Sequence, residues 1–497
     1  MITHQSQNNF YNSFIKFALS LKYFMFFKKY TSLIFLIFFL FSCRNEIFTP
    51  PNIIFILTDD QGYGDLGVYG ADDILTPNID FLASQGARLT SYYATQPVCS
   101  ASRASILTGS YSDRISIYGA FMPNSKKGIN SQETTIAEML KDKGYSTGIF
   151  GKWHLGDAPE FFPTRHGFDE FYGILYSNDM WPYHPEQGTI FNFDDLKLYE
   201  NENILKTIED QSFLTEAITD RAINFIEKNK KTPFFLYIPH PQPHVPLFAK
   251  NNFLGTQARG IYGDVINEID FSFGRIYDVL KKNNLVNNTV IIFTSDNGPW
   301  LSYGTHSGSP GIFREGKGTC WEGGNRVPAI ISYPKNIKPN TIIDAPAMGI
   351  DWLPTLKEFT KSDNVKLKID GKSLVPLLTG KTYKSPHENL FFYYRENELH
   401  AIRHKDWKYY LSHSYRSLNG KKGKSDGTPI KYETNYINSP ELYNLINDPK
   451  EKKNVADLYP NIVKKIDKIS DSISLILGNS LKGIKGNEVR PIGLIRN

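Results

Sequence analysis

At 497 residues the chain is longer than one ordinary hydrophobic core organises, and it calls for one large domain with a smaller companion. Hydrophobic residues make up 40% and charged residues 22%, which excludes a disordered chain and a multi-span membrane protein. The net charge of +5 is small for this length, and the basic residues do not interleave with aromatics as on a nucleic-acid surface, so no nucleic-acid partner is expected.

Lys28 and Lys29 precede an apolar run over residues 31–42, short for a bilayer span and of the length of a signal-peptide core. Leu40-Phe41-Ser42-Cys43 resembles a bacterial lipoprotein box, in which the cysteine is lipidated; an ordinary signal peptide or an anchor helix are the alternatives. Residues 1–43 are therefore read as an export segment, placing the protein in the periplasm or at the cell surface with a lipid anchor at Cys43.

Asn52-Ile53-Ile54-Phe55-Ile56-Leu57-Thr58 is continuously apolar and β-branched, as in a strand buried on both faces of a parallel sheet, and it runs straight into Asp59-Asp60. Thr76-Pro77 opens a helix with Thr76 as N-cap and Gly86 as its stop. A helix over 133–143 feeds a strand at 146–150, and amphipathic segments at 211–229 and 262–280 feed strands at 233–238 and 289–294. This alternation predicts an α/β fold over residues 50–384: a large central, mostly parallel sheet flanked by helices. From about residue 385 the texture changes to short antiparallel strands at 389–394, 400–402 and 407–411, a polar loop at 421–428 and a closing helix at 461–475. Residues 385–497 are read as a C-terminal α+β subdomain carrying a short antiparallel sheet.

Four apolar strands are each followed at once by polar residues: Asp59-Asp60, Lys152 with His154, His240 with His244, and Asp296-Asn297. Ligands sit beyond the carboxyl ends of strands in open α/β sheets, so the topology gathers these groups at one edge. Asp59, Asp60, Asp296 and Asn297 are all oxygen donors and suit Ca²⁺ or Mg²⁺ better than zinc, although each pair is also ordinary turn chemistry. Strand alternation would point Lys152 and His154 to one side. With His244 and Lys317 they have the makeup of a site that binds a tetrahedral oxyanion and moves protons. Between the first two strands lies Pro97-Val98-Cys99-Ser100-Ala101-Ser102-Arg103, where a helix opening at Cys99 puts Arg103 one turn on. Taken alone the stretch reads as a small-residue helix packed on a sheet, with Cys99 a buried small hydrophobe and Arg103 in a surface ion pair.

Cys99-Ser100-Ala101-Ser102-Arg103 resembles the Cys-x-(Pro/Ala)-Ser-Arg signature of the type I sulfatases, formylglycine-dependent members of the alkaline phosphatase superfamily. Leu107-Thr108-Gly109, Asp59-Asp60, Gly151-Lys152-Trp153-His154, Ser295-Asp296-Asn297-Gly298, Lys317-Gly318 and Glu322-Gly323-Gly324 with Arg326-Val327-Pro328 match that family in order, closest to its arylsulfatase A-like group. The resemblance implies that a maturation enzyme oxidises Cys99 to formylglycine (3-oxoalanine), whose hydrate attacks sulfur. It implies Ca²⁺ on Asp59, Asp60, Asp296, Asn297 and the modified Cys99. It gives Arg103 the support of the developing alkoxide, Lys152 and Lys317 the sulfate oxygens, His244 the leaving alcohol, and His154 the proton whose removal releases sulfate. Ser177 corresponds by order to a sulfate-contacting serine, His240 is extra to the pattern, and Cys320 reads as a packed thiol. The expected substrate is a sulfated small molecule, a sulfated carbohydrate given export. The alternatives are a phosphate or phosphonate monoester hydrolase of the same superfamily, and a catalytically inactive sulfoglycan-binding lipoprotein.

Overall fold

The apolar run after Pro51 forms strand β1 (Asn52–Thr58), every residue of it buried. In the computed structural model, which describes residues 11, 13–26 and 48–495, β1 is the middle of a ten-stranded sheet. The other strands are β2 (Ala87–Leu89), β3 (Ser146–Lys152), β4 (Glu170–Ile174), β5 (Lys197–Glu200), β6 (Asn203–Thr207), β7 (Phe234–Pro239), β8 (Thr289–Ser295), β9 (Ala329–Ser332) and β10 (Thr341–Ile343). They lie in the order β10-β2-β9-β8-β1-β7-β3-β4-β5-β6. The five strands from β8 to β4 run parallel, while β9 and the β5–β6 hairpin join antiparallel at the two sides.

Alternation along β1 divides its side chains between two cores. Ile53, Phe55 and Leu57 pack with helices α2 (Cys99–Thr108), α3 (Ile136–Lys141) and α6 (Trp352–Thr360). Ile54 and Ile56 pack on the other face with α1 (Pro77–Ser84), α4 (Leu214–Asn229) and α5 (Ile261–Lys282). Thr76 precedes α1, but its hydroxyl donates to Asp80 and accepts from Gly67 N–H and does not cap the helix. Gly86 ends this region because the chain passes against β9, where a Cβ would stand 2.1 Å from the Ile331 carbonyl oxygen.

Beyond α6 lies a four-stranded antiparallel sheet of β11 (Asn389–Tyr394), β12 (Glu398–His404), β13 (Trp407–Tyr410) and β16 (Glu441–Asn444), in that order. A hairpin of β14 (His413–Ser417) and β15 (Glu433–Ile437) lies between β13 and β16 in the chain, and α7 (Pro460–Leu477) closes the unit. Cys320 is buried in the aromatic core beneath this sheet, with Trp321, Tyr393 and Tyr410.

Residues 13–26 are helical and belong to a unit separate from the one that begins at Pro50. The apolar run at 31–42 and Cys43 lie outside the described residues, and no helix of the described residues is long and apolar enough to cross a membrane.

Candidate active site

Because β8, β1, β7 and β3 are adjacent and parallel, their C-terminal ends deliver Asp296-Asn297, Asp59-Asp60, His240 with His244, and Lys152 with His154 to one edge, as the sequence predicts. Helix α2 opens at Cys99 after an extended Val98, and Gly318 N–H donates to the Pro97 carbonyl at 2.8 Å, which ties the Lys317 loop to this turn. Arg103 is fully buried, which overturns the reading of a surface ion pair. Gly151, with φ at +136°, lets β3 pass so close to β7 that a Cβ there would stand 2.0 Å from the Pro239 carbonyl oxygen, and Lys152 follows directly. His154 lies beyond the end of β3 with φ at +62°, so a turn of the backbone, not strand alternation, sets its position.

The Cys99 thiol donates to Asp59 Oδ1 at 3.3 Å and receives a hydrogen bond from Lys317 Nζ at 3.4 Å. Lys317 Nζ also reaches Asp60 at 2.8 Å and His244 Nε2 at 3.0 Å. Lys152 Nζ donates to Asp59 and, at 3.1 Å, to Ser177 Oγ. Arg103 spans Asp59 Oδ2 at 3.1 Å and Asp296 Oδ2 at 2.9 Å. Burial works to lift the Asp59 carboxyl, but Lys152 and Arg103 outweigh it and hold the group well below the carboxylate range. Asp296 is pushed up to about 7 by burial and by the neighbouring Asp59 charge. Burial and Asp59 also raise the Cys99 thiol well above its ordinary value, so the unmodified residue is a thiol and a poor nucleophile.

The two histidines have defined tautomers, because a carbonyl can only accept. His154 donates from Nε2 to the Phe121 carbonyl at 2.8 Å, leaving Nδ1 buried with a free lone pair. Burial, reinforced by Lys152, holds its pKa well below the usual histidine value, so the ring is neutral with an open acceptor lone pair at Nδ1. His244 donates from Nδ1 to the Val245 carbonyl at 2.6 Å, and its Nε2 faces Lys317 and, at 3.5 Å, Asp60.

Oxygen and sulfur atoms of Asp59, Asp60 and Cys99 and a ring nitrogen of His244 all lie within 4.8 Å of one another, a spacing that could hold a metal ion. The donor chemistry fits a hard cation. Asn297 Nδ2 is spent on Asp60 Oδ1 and the Gly298 carbonyl, which leaves Asn297 Oδ1 buried without a partner.

Cys99, His154, Ser177, His244 and Lys317 line one cleft of about 830 Å³. His240 is buried, with its pKa lowered to about 4 by burial, and does not line the cleft. Sequence reasoning missed much of the wall. The Trp300 ring lies under Lys317 Nζ at 4.5 Å and meets the His244 ring edge-on at 5.5 Å, and its place three residues after Asn297 was the available signal. Arg416, on β14, donates to the Lys317 carbonyl and lies 4.5 Å from the Tyr432 ring; nothing local in the sequence announces that contact.

An edge of parallel strands offering a nucleophile position, paired cations and two histidines defines a hydrolase of tetrahedral oxyanion esters. Residues 51–362 match the family described as Sulfatase, and residues 385–478 match the C-terminal region of aryl-sulfatase. The chain is 35% identical to arylsulfatase A of Bos taurus over 82% of this chain and 84% of the relative. It is 40% identical to N-acetylgalactosamine-6-sulfatase of Sus scrofa over 71% of this chain and 70% of the relative. Among solved structures, PsFucS1 sulfatase from Pseudoalteromonas sp. superposes with a TM-score of 0.75 at 26% identity, covering 86% of this chain and 91% of that one. Ps i-CgsB in complex with a neocarrahexaose superposes with a TM-score of 0.68 at 31% identity, covering 85% of this chain and 93% of that one. This chain belongs to the sulfatase family and is a sulfuric ester hydrolase.

Proposed function

We propose that the protein hydrolyses sulfate monoesters of carbohydrate, with Cys99 matured to formylglycine and Ca²⁺ held by Asp59, Asp60, Asp296, Asn297 and residue 99. The observation that carries this reading is the buried set around Cys99: three carboxylates, three cations and two oppositely prepared histidines. Three carboxylates against Arg103, Lys152 and Lys317 leave the site near neutral, so a dication there would leave it positive for a sulfate ester and an ionised nucleophile. When bound, the ion supplies Lewis acidity that favours an ionised oxygen on residue 99. Formylglycine, as its hydrate, supplies one hydroxyl for attack on sulfur and a second for release of sulfate.

The chain's own residues do the rest. Lys317, hydrogen-bonded to Cys99, and Lys152, hydrogen-bonded to Ser177, grip sulfate oxygens, and Ser177 Oγ adds a contact next to Lys152. Arg103 holds Asp59 and Asp296 in place and adds positive charge behind the nucleophile. His244 Nε2 accepts from the Lys317 ammonium at 3.0 Å, so the ring relays a Lys317 proton to the oxygen of the leaving alcohol. His154 takes the proton of the second hydroxyl at Nδ1. Because Cys99 is 1% exposed, a maturation enzyme reaches it before α2 docks onto the sheet. The carbohydrate assignment draws on the N-acetylgalactosamine-6-sulfatase and neocarrahexaose relatives, and export with lipidation at Cys43 belongs to the same reading.

The test is sulfate release from 4-nitrophenyl sulfate and from N-acetylgalactosamine 6-sulfate and related sulfated monosaccharides. Exhaustive chelation lowers the rate about 10²-fold or more, and added Ca²⁺ restores it. Undiminished hydrolysis in the metal-free protein contradicts the metal assignment.

A further inference from the structure

The cleft holds a polar pair that none of the roles above uses. The chain leaving β4 folds over the cleft and places Asp179 and His184 in its wall, 8% and 6% exposed. His184 Nδ1 accepts the Glu186 backbone N–H at 3.0 Å, which puts the ring hydrogen on Nε2. Phe191 and Phe193 meet the ring edge-on, with centroids 4.9 and 5.6 Å away, and hold its plane. The ring is thus a fixed donor pointing from Nε2.

Its counterpart is Asp179, whose Oδ2 lies 3.9 Å from His184 Nε2, beyond hydrogen-bond reach. Asp179 Oδ1 is buried without a partner. A rigid donor and a carboxylate acceptor therefore stand too far apart to satisfy each other, and one oxygen within hydrogen-bond reach of both His184 Nε2 and the Asp179 carboxylate would pair them. That oxygen must accept from His184 and donate to Asp179. A hydroxyl does both, whereas an ester oxygen, a sulfate or a carbonyl only accepts and would leave the carboxylate unpaired. The Asp179 charge also repels a second sulfate at this position.

We propose that His184 and Asp179 form a hydroxyl-reading pair that selects sulfate esters of polyhydroxylated sugars, with an unsulfated hydroxyl at that position, over sulfate esters of simple aryl alcohols. The proposal rests on the sulfatase reading of the same cleft. It assigns specificity to the segment between β4 and β5, separately from the groups around Cys99.

The experiment measures kcat/KM of the mature enzyme for 4-nitrophenyl sulfate and for a panel of monosulfated hexoses and N-acetylhexosamines, in wild type, Asp179→Ala and His184→Phe. The phenylalanine keeps an aromatic ring against Phe191 and Phe193 while removing the Nε2 donor. The ratio of sugar-sulfate to aryl-sulfate kcat/KM falls about ten- to a hundredfold in each variant, the range for a lost hydrogen bond to a charged group. The double variant loses less than the product of the two, because the pair binds one hydroxyl. An unchanged ratio in either variant, or a wild type that cleaves the aryl ester and no sugar sulfate of the panel, overturns the proposal. If Asp179→Ala fails to fold, His184→Phe alone decides the outcome. A wild type inactive on both substrate types overturns the sulfatase reading instead.

Discussion

Replacing Cys99 by alanine lowers kcat/KM for 4-nitrophenyl sulfate about 10³-fold or more, while the protein folds normally. The activity loss follows from position: Cys99 is the residue at which Asp59, Lys317 and the opening turn of α2 converge, so its side chain alone can present a nucleophile to a sulfur held by the two lysines. The fold tolerates the change because alanine keeps the Cβ that packs in α2 and removes one sulfur atom, a loss of about 1 kcal/mol. Steady-state kinetics with thermal melting separates the two effects. Retention of wild-type turnover by Cys99→Ala contradicts the assignment of the nucleophile.

The largest stability effect is expected outside the set of residues around Cys99, at Lys408 on β13. Its Nζ is fully buried, 2.8 Å from Glu322 Oε1 and 3.9 Å from Glu451 Oε1, and lies 4.5 Å from the Phe392 ring. Glu322 also accepts from Tyr93 at 2.8 Å and Arg326 at 3.1 Å, so Lys408 joins the C-terminal sheet to the segment that follows the Lys317 loop. Burial would raise Glu322, but Lys408 and Arg326 hold it down at about 2; Glu451 is pushed up to about 7 by burial and carries the proton of the pair. Lys408→Met keeps the apolar stem and removes the charge that separates the two acids. Breaking such a pair costs about 3–5 kcal/mol, readable as a lower denaturant midpoint. Glu451 adds a pH signature in the wild type. Its carboxyl is raised in the folded state, so its contribution is complete below its ordinary value of 4.5 and is lost as pH rises towards about 7. A Lys408→Met protein as stable as wild type contradicts this account of the joint.

Local pattern carried the parts of the site that one strand or one turn determines. β1, β7 and β8 are apolar runs that end in polar residues, and parallel pairing turns those ends into one edge without further information. The helix at Cys99 was legible for the same reason, since small residues leave few other ways to pack against a sheet. The hairpin of β5 and β6 was not read, because β6 is exposed throughout and its polar residues carry no buried face to report. Arg416 and Lys408 come to their partners from 99 and 86 positions away, so only the folded chain pairs them. The pair of Asp179 and His184 was hidden by short range instead: a turn fixes the histidine tautomer through the Glu186 N–H, and no periodicity signals a turn of that kind.

The most direct test of the central claim is mass spectrometry of the peptide spanning Cys99, from protein expressed with a competent sulfatase-maturation enzyme and trapped with an aldehyde-reactive hydrazide. The account predicts that residue 99 carries the aldehyde and takes the tag, in a fraction that tracks the specific activity of each preparation. A fully active protein whose Cys99 remains an untagged thiol would contradict it.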